Sequence, residues 1–204
     1  MEFKKIQLNG FKSFAEKTNF LIEDGLTGIV GPNGCGKSNI VESLRWCMGE
    51  TSAKSMRGSG MEDVIFSGTS NKPSKNIAEV SISLSNENKD GHFQYKDLDE
   101  IQVRRKIEKD KGSKFYINNK EVRAKDAQMF FADLSTGAHS PSIISQGRIG
   151  ALVTAKPVDR RAVLEEAAGI SGLHARRHEA ELRLGAAENN LKRADELRKQ
   201  QEKQ

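Results

Sequence analysis

The sequence predicts an α/β protein with an antiparallel β-subdomain and a long helical arm. A glycine-rich segment, Gly31–Ser38, stands between a short apolar run and a segment whose apolar residues have helical spacing. Apolar and polar residues then alternate through much of residues 70–125, as in half-buried strands. From His174 onward the chain has no proline and is rich in Ala, Leu, Glu, Lys and Arg, which is typical of a long helix.

The N-terminal region is predicted to contain strands and one helix. The alternation at Phe3–Leu8 indicates a strand, and Asn19–Ile22 reads as a second one. Leu26–Val30 is short, apolar and bounded by glycines, so we expect a buried strand there. Asn39–Gly49 has helical spacing, and Gly49 is expected to end the helix.

Residues 70–125 are predicted to form an antiparallel β-meander inserted after the first helix. Ile77–Leu84 alternates with strict period two, and Ile101–Ile107 and Phe115–Ile117 continue in that style. Asn118-Asn119 is expected to be the tight turn that leads into Glu121-Val122.

The C-terminal third is predicted to be helical apart from one loop. Ala124–Leu134 reads as a helix, Gly137–Gly150 as a loop, and Pro157 as the first residue of a helix that runs to Ala168. Beyond it, leucine and alanine repeat at spacings of 4, 3, 4 and 3 residues at Ala180, Leu184, Ala187, Leu191 and Ala194. This seam predicts the start of a coiled coil, and the alternative is a single amphipathic helix that packs on the domain.

Composition bounds the possible functions. The chain has 204 residues, of which 36% are hydrophobic and 30% charged, as in a globular domain with an appendage. Its apolar runs are far shorter than the roughly 20 residues that cross a bilayer, and no secretory segment begins it, so we expect a cytoplasmic protein without a membrane partner. Cys35 and Cys47 have no CxxC or histidine partner, which argues against zinc and against a disulfide.

Positive charge is concentrated in one segment. Residues 104–126 hold nine basic side chains and four acidic ones, which accounts for the whole net charge of +5. Such a patch attracts polyanions, although a solvated hairpin with ordinary lysines explains it equally well. Nucleic-acid contact is therefore one of two open interpretations of this segment.

The glycine-rich segment carries the chemistry. GPNGCGKS at Gly31–Ser38 matches GxxxxGK[ST], the phosphate-binding P-loop, and predicts binding of ATP with Mg²⁺. Backbone N–H groups of the loop and the helix N-terminus would face the phosphates. Lys37 would reach the β- and γ-phosphates, and the Ser38 hydroxyl would ligate Mg²⁺. The expected nucleotide-binding residues are Pro32, Asn33, Gly34, Cys35, Gly36, Lys37, Ser38 and Asn39.

Hydrolysis needs a carboxylate that the sequence does not supply in the expected context. No run of four apolar residues is followed convincingly by Asp or Glu, because Asp133 and Glu165 lie in helical patterns. The chain is therefore predicted to bind ATP without the apparatus to split it.

Several motifs in a fixed order resemble the N-terminal head segment of SMC (structural maintenance of chromosomes) proteins, ABC-type ATPases of chromosome condensation and segregation. They are LNGFKSFA at Leu8–Ala15, GIVGPNGCGKSN at Gly28–Asn39, MRGSGMEDVIFSG at Met56–Gly68, FYINN at Phe115–Asn119 and IISQGR at Ile143–Arg148. The continuation WCMGE at Trp46–Glu50 is more similar to the prokaryotic homodimeric type.

The resemblance implies further site residues. It places Lys12 and Ser13 beside the phosphates and Asp63 near the adenine or ribose. It implies that Arg57 is the R-loop arginine that contributes to ATP turnover. It also implies that Gln146 is the Q-loop glutamine, which completes the Mg²⁺ shell with Ser38 and positions the attacking water. Lys37, Gln146 and Arg57 are then the expected catalytic residues.

The resemblance also implies an architecture. Residues 1–170 would be the N-terminal part of an ABC-type ATPase head, and 171–204 the beginning of a coiled-coil arm. A C-terminal segment would supply the Walker B and signature motifs, without which this part would be inactive alone. Expected partners are that C-terminal half, a second copy through a hinge and ATP-engaged heads, a kleisin-type subunit with its winged-helix protein, and double-stranded DNA in the nucleoid.

Other functions remain open at this stage. A DNA-repair ATPase of the Rad50 or RecN type shares the P-loop and the coiled coil, but the Met56–Gly68 block and Phe11–Phe14 argue against it. A transporter nucleotide-binding domain would seldom continue into heptads. A binding module in which ATP is only structural is the non-enzymatic alternative.

Overall fold

The computed structural model describes residues 1–87, 89, 95–134, 143–144, 148–168 and 171–202. In this part of the chain the strands are β1 (Glu2–Asn9), β2 (Thr18–Leu21), β3 (Ile77–Ser85), β4 (Glu100–Glu108), β5 (Gly112–Ile117) and β6 (Lys120–Val122). The helices are α1 (Lys37–Cys47), α2 (Ala124–Asp133), α3 (Arg148–Thr154), α4 (Pro157–Ala167) and α5 (Ser171–Gln201). Short 3-10 turns lie at Lys54–Met56 and Met61–Val64.

The strands form one antiparallel sheet in the order β2-β1-β3-β4-β5-β6. The predicted meander is confirmed, and so is its turn, because Asn118 and Asn119 both have positive φ, as a two-residue hairpin loop requires. The meander is not a separate unit, however. β1 pairs along its length with β3, with Ile6 opposite Ile82, so the N-terminal hairpin and the meander share one sheet.

Helix α1 packs on the apolar face of this sheet. Trp46 is fully buried there and packs against Phe11, with 5.4 Å between ring centroids. Glycine ends the helix as predicted, because Gly49 follows its last turn with φ of 106°. The helix begins two residues earlier than its periodicity indicates, inside the glycine-rich loop.

One predicted strand is absent, and this corrects the sequence interpretation. Leu26–Val30 has no strand structure, and Leu26 and Val30 are 100% and 93% exposed. A five-residue apolar run becomes a strand only when a neighbouring strand accepts its backbone hydrogen bonds. In the described residues the sheet offers no strand beside this run, so its apolar side chains face outward.

The basic segment is less open than its composition indicates. Arg105 is 3% exposed and lies between Trp46 and Phe115, with its guanidinium carbon 4.5 and 4.6 Å from the two ring centroids. Four of the other cations pair with acids: Arg104 with Glu79, Lys111 with Glu108, Lys114 with Glu121, and Arg123 with Asp126. The accessible positive charge is therefore smaller than a count of basic residues predicts.

The C-terminal helices follow the prediction with one addition. α2 and α4 begin at the predicted residues and end one residue early. Most of the predicted Gly137–Gly150 loop lies outside the described residues, and its last three positions belong to α3, a helix that the sequence did not predict. None of the helices described here has the length and apolar character to cross a membrane.

Helix α5 confirms the helical arm. It contacts α2 and α4. The five seam positions between Ala180 and Ala194 are all exposed, with Leu184 at 61% and Leu191 at 66%. This half of the helix does not pack on the described part of the domain, so the amphipathic-helix alternative is not supported there.

Candidate nucleotide-binding site

The glycine-rich loop has the backbone that its sequence predicts. Gly34 and Gly36 have φ of 83° and 94°, in the left-handed region that side chains disfavour. A Cβ on Gly36 would also stand 2.5 Å from the Oγ of Ser13, and one on Gly31 would stand 2.8 Å from the Sγ of Cys35. Larger residues would therefore not fit at Gly31 and Gly36. Residues 31–35 are exposed, so the backbone of the loop is accessible to a ligand.

The loop leads directly into α1. Gly36 is the N-cap of this 11-residue helix, makes no side-chain capping bond, and is followed by no acidic residue in the first turn. The first N–H groups of the helix and its positive dipole end are thus available to an anion. This arrangement fits the phosphate groups of a nucleotide.

Lys37 folds back over the loop. Its Nζ donates hydrogen bonds to the carbonyl oxygens of Gly31 and Pro32, the latter at 2.6 Å, and lies 3.9 Å from the Sγ of Cys35. The ammonium group is therefore already inside the curve of the loop, where a phosphate would meet it.

The segment around Lys12 and Ser13 packs beside the loop, while its contact with the phosphates stays a prediction. Lys12 has φ of 47°, and its N–H donates to the carbonyl oxygen of Val64 at 2.7 Å. Asn39 Nδ2 donates to Ser13 Oγ at 2.9 Å, which ties this segment to the first turn of α1.

Arg57, which directly follows the 3-10 turn at Lys54–Met56, also contacts the first turns of α1. Its Nη2 donates to Asn39 Oδ1 at 2.9 Å, and its Nε pairs with Glu42. The side chain is still 58% exposed. One asparagine thus bridges the two segments that were expected to flank the phosphates.

Glu42 is a residue that the sequence patterns did not single out. It is 8% exposed, accepts a hydrogen bond from Lys12 Nζ and forms an ion pair with Arg57 Nε, while Lys12 Nζ also donates to the Met56 carbonyl oxygen. Its position four residues after Ser38 places it on the same face of α1 as that hydroxyl. An acidic residue one helical turn after the Ser38 of the phosphate-loop motif is the signal that could have found it.

Glu42 and Arg57 border a cleft of about 400 Å³. Ser38 lies in its wall together with Glu42, Arg45, Arg57 and Ile144. Two guanidinium groups thus face a single cleft beside the Ser38 hydroxyl, although Arg45 also pairs with Glu50 at 3.0 Å. The donor set suits a ligand that carries negative charge and an oxygen-seeking cation.

One expected site residue is not brought into this cluster, and a second lies outside the described residues. The Asp63 carboxylate accepts hydrogen bonds from the N–H groups of Gly60 and Ser59 and from the Ser59 hydroxyl, at 2.9, 2.6 and 2.8 Å. These bonds hold the pKa of Asp63 below its ordinary value and organise its own turn. Gln146 lies outside the described residues, so its contact with Mg²⁺ stays a prediction.

Comparison with known proteins gives a consistent result. The family model described as RecF/RecN/SMC N terminal domain matches residues 2–147. The chain is 55% identical over 197 residues to the chromosome partition protein Smc of Rhodopseudomonas palustris, which covers 97% of this chain and 17% of that protein. It is also 45% identical to the Smc of Myxococcus xanthus over 204 residues, which are 100% of this chain and 17% of that protein. The chain therefore spans about a sixth of the length of these curated relatives.

Solved structures agree with this family. An Smc head domain from Pyrococcus furiosus, with an extended coiled coil and bound to the C-terminal domain of ScpA, superposes with a TM-score of 0.76 at 32% identity, over 96% of this chain and 49% of that one. A chain from a study of ATP-driven dimerization and DNA-stimulated activation of SMC ATPases superposes with a TM-score of 0.73 at 32% identity, over 82% of this chain and 99% of that one.

Proposed function

Because this chain belongs to the RecF/RecN/SMC N-terminal domain family, we propose that it forms the ATP-binding part of an SMC-type ATPase head that acts in chromosome partition. The observation that carries the proposal is the contact of three segments around one loop. Asn39 joins the Ser13 segment and the Arg57 segment to the helix that begins in the phosphate loop. The same two segments also bring two cationic side chains, Lys12 and Arg57, to this helix, as binding of an anion requires.

The residues have distinct roles in this proposal. The N–H groups of the loop and of the first turn of α1 bind the β- and γ-phosphates, and Lys37 exchanges its carbonyl partners for phosphate oxygens. Ser38, with Gln146, holds Mg²⁺, which would neutralise charge on the same phosphates. Arg57 lies beside the cleft and stabilises negative charge that develops on the phosphate during turnover. Lys12 and Ser13 support the phosphate side of the site, and Asp63 lies toward the base or ribose.

Turnover requires a second half of the head. Among the described residues that line the cleft with Ser38, the one carboxylate is Glu42, and two cations already engage it. We therefore propose that this chain alone is inactive and that a C-terminal segment of the longer protein brings the catalytic carboxylate. The exposed run at Leu26–Val30 is consistent with this proposal, because such a surface is stable in water only when it is covered.

The proposal extends to partners. ATP binding would bring two heads together, and hydrolysis would separate them. The relatives suggest a kleisin-type subunit with a winged-helix domain, because an Smc head has been solved with the corresponding domain of ScpA. Double-stranded DNA and the nucleoid are the proposed target and location. A repair ATPase of the Rad50 or RecN type is not favoured, since the similar curated proteins described above are chromosome partition proteins.

Calorimetry on the full-length protein with ATP and Mg²⁺ tests this proposal. We expect saturable binding that Lys37→Ala weakens by at least about a hundredfold, since the variant loses a charge-assisted phosphate contact. Lys75→Ala, a change at an exposed lysine in the loop before β3, is the matched control and should bind as the wild type does. Absence of nucleotide uptake by the wild-type protein would sink the proposal.

A further inference from the structure

One buried carboxylate, that of Glu42, pairs with two cations, Lys12 and Arg57. Glu42 Oε2 accepts a hydrogen bond from Lys12 Nζ, and Glu42 Oε1 forms an ion pair with Arg57 Nε. The Glu42 side chain is 11% exposed and that of Lys12 is 13% exposed, so this part of the cluster is shielded from water. Charge pairs shielded in this way are screened less by solvent than surface pairs are.

Glu42 belongs to the helix that begins in the phosphate loop, whereas its two partners belong to other loops. It stands one turn after Ser38 on α1, a helix that begins within the loop itself. Lys12 and Arg57 lie outside helices and strands on left-handed backbones, with φ of 47° and 53°. A long side chain on such a segment loses much rotamer freedom when it is held, so its average position depends on its anchors.

The charges of Lys12, Arg57 and Glu42 explain why this carboxylate matters for binding an anionic ligand. Two cations share one carboxylate, which leaves one net positive charge next to the cleft that Ser38 borders. Without the carboxylate, two cations would stand close together in a partly shielded site and would repel each other. Arg57, the more exposed of the two, would then move away from the loop.

We propose that Glu42 is a positioning residue for ATP turnover, which holds Arg57 and Lys12 at the phosphate loop through its two carboxylate oxygens. This inference rests on the proposed function, because it assumes that Arg57 acts on the nucleotide. In this proposal Glu42 acts through the two cations and not on the nucleotide itself. Its loss should therefore affect turnover more than ground-state binding.

The test compares Glu42→Gln with wild type in the full-length protein, by steady-state hydrolysis, by the Kd of a fluorescent ATP analogue and by the Tm. We expect kcat to fall about tenfold while Kd changes less than about threefold, since a neutral amide holds a guanidinium poorly. Glu42→Asp keeps the charge on a shorter side chain and should lose about threefold in kcat. Glu16→Gln is the matched control, because it removes an exposed carboxylate that pairs with Lys72 at 2.7 Å.

The outcomes separate the two proposals. Wild-type kcat in Glu42→Gln, a parallel loss of kcat and affinity, or equal loss in the Asp and Gln variants would overturn the positioning role while leaving the proposed function intact. If Glu42→Gln unfolds below the assay temperature, Glu42→Asp decides alone, and wild-type kcat in that variant overturns the role. A wild-type protein that neither binds nor hydrolyses ATP refutes the proposed function, and this inference with it.

Discussion

Asn39 donates a hydrogen bond to Ser13 across the edge of the phosphate loop, with 2.9 Å between Nδ2 and Oγ. The carbonyl end of the same amide accepts from Arg57, so both ends of one side chain are used. The amide thereby sets the distance between two loops that are far apart in the sequence. Several expected outcomes depend on this arrangement and on the packing beneath it.

Replacing Asn39 with alanine should weaken ATP binding by about tenfold, because both loops lose a hydrogen-bond partner worth about 1 kcal/mol each. Calorimetry on the full-length protein would measure the change. Asn71→Ala, at an exposed turn position, is the control and should leave Kd unchanged. Equal affinities of wild type and Asn39→Ala would show that the bridge does not shape the site.

Gly36→Ala should both destabilise the fold and block the nucleotide. The left-handed backbone costs an alanine about 1–2 kcal/mol, and its Cβ would collide with Ser13 Oγ. Urea denaturation and ATP titration would measure the two effects. Gly185→Ala is the matched control: this helical glycine has open space around it, so alanine there should stabilise α5 by up to about 1 kcal/mol without affecting ATP. Normal ATP affinity in Gly36→Ala would contradict the loop geometry described above.

Arg105→Met should lower the free energy of unfolding by about 2–4 kcal/mol, because two buried backbone carbonyl oxygens would lose their hydrogen-bond donor. Arg105 Nη1 donates to the carbonyl oxygens of Trp46, in the last turn of α1, and of Glu50, just after the helix, each at 2.7 Å. Arg104→Met, its neighbour on the opposite face, should cost less than about 1 kcal/mol because its pair with Glu79 is partly exposed. Equal losses for the two variants in chemical denaturation would refute this difference.

The two cysteines should react very differently with a thiol reagent. Cys35 is exposed, whereas Cys47 is buried, and burial raises the pKa of its thiol to about 12. The thiolate is the reactive form, so Cys47 should stay unmodified at pH 8 until the protein unfolds. Peptide mass spectrometry would measure both rates, and ATP should slow the labelling of Cys35. Modification of Cys47 at the rate of Cys35 in the folded protein would contradict its position between β3 and β4.

Elements with a local sequence pattern were predicted correctly. The predictions failed where a residue's structure depends on contacts with distant parts of the chain. Strands β3 to β5 have their alternation within a few residues, and the phosphate loop has its glycines at fixed positions, so both were predicted. Leu26–Val30 has an equally apolar pattern, but a strand needs a neighbour that a pattern cannot show. Arg105 reads as a surface cation until Trp46 and Phe115 enclose it.

The candidate site follows the same rule. The motif gave Lys37 and Ser38 directly, while the positions of Lys12, Ser13 and Arg57 became available only through resemblance. Glu42 was missed because its partners lie 30 and 15 residues away, in loops whose approach to α1 depends on tertiary structure. The resemblance assigned Asp63 to the nucleotide, and this stays a prediction, since its hydrogen bonds lie within its own turn.

The pairing of β1 with β3 has a consequence for the order of folding. The two strands are adjacent in the sheet, yet residues 10–76, with every loop that converges on α1, lie between them in the chain. Closing so long a loop costs entropy before the pairing returns any free energy, which makes it a slow, non-local step. On the ribosome, the centre of the sheet cannot form until Ser85 has left the exit tunnel, so the nucleotide loops should acquire their arrangement late during synthesis.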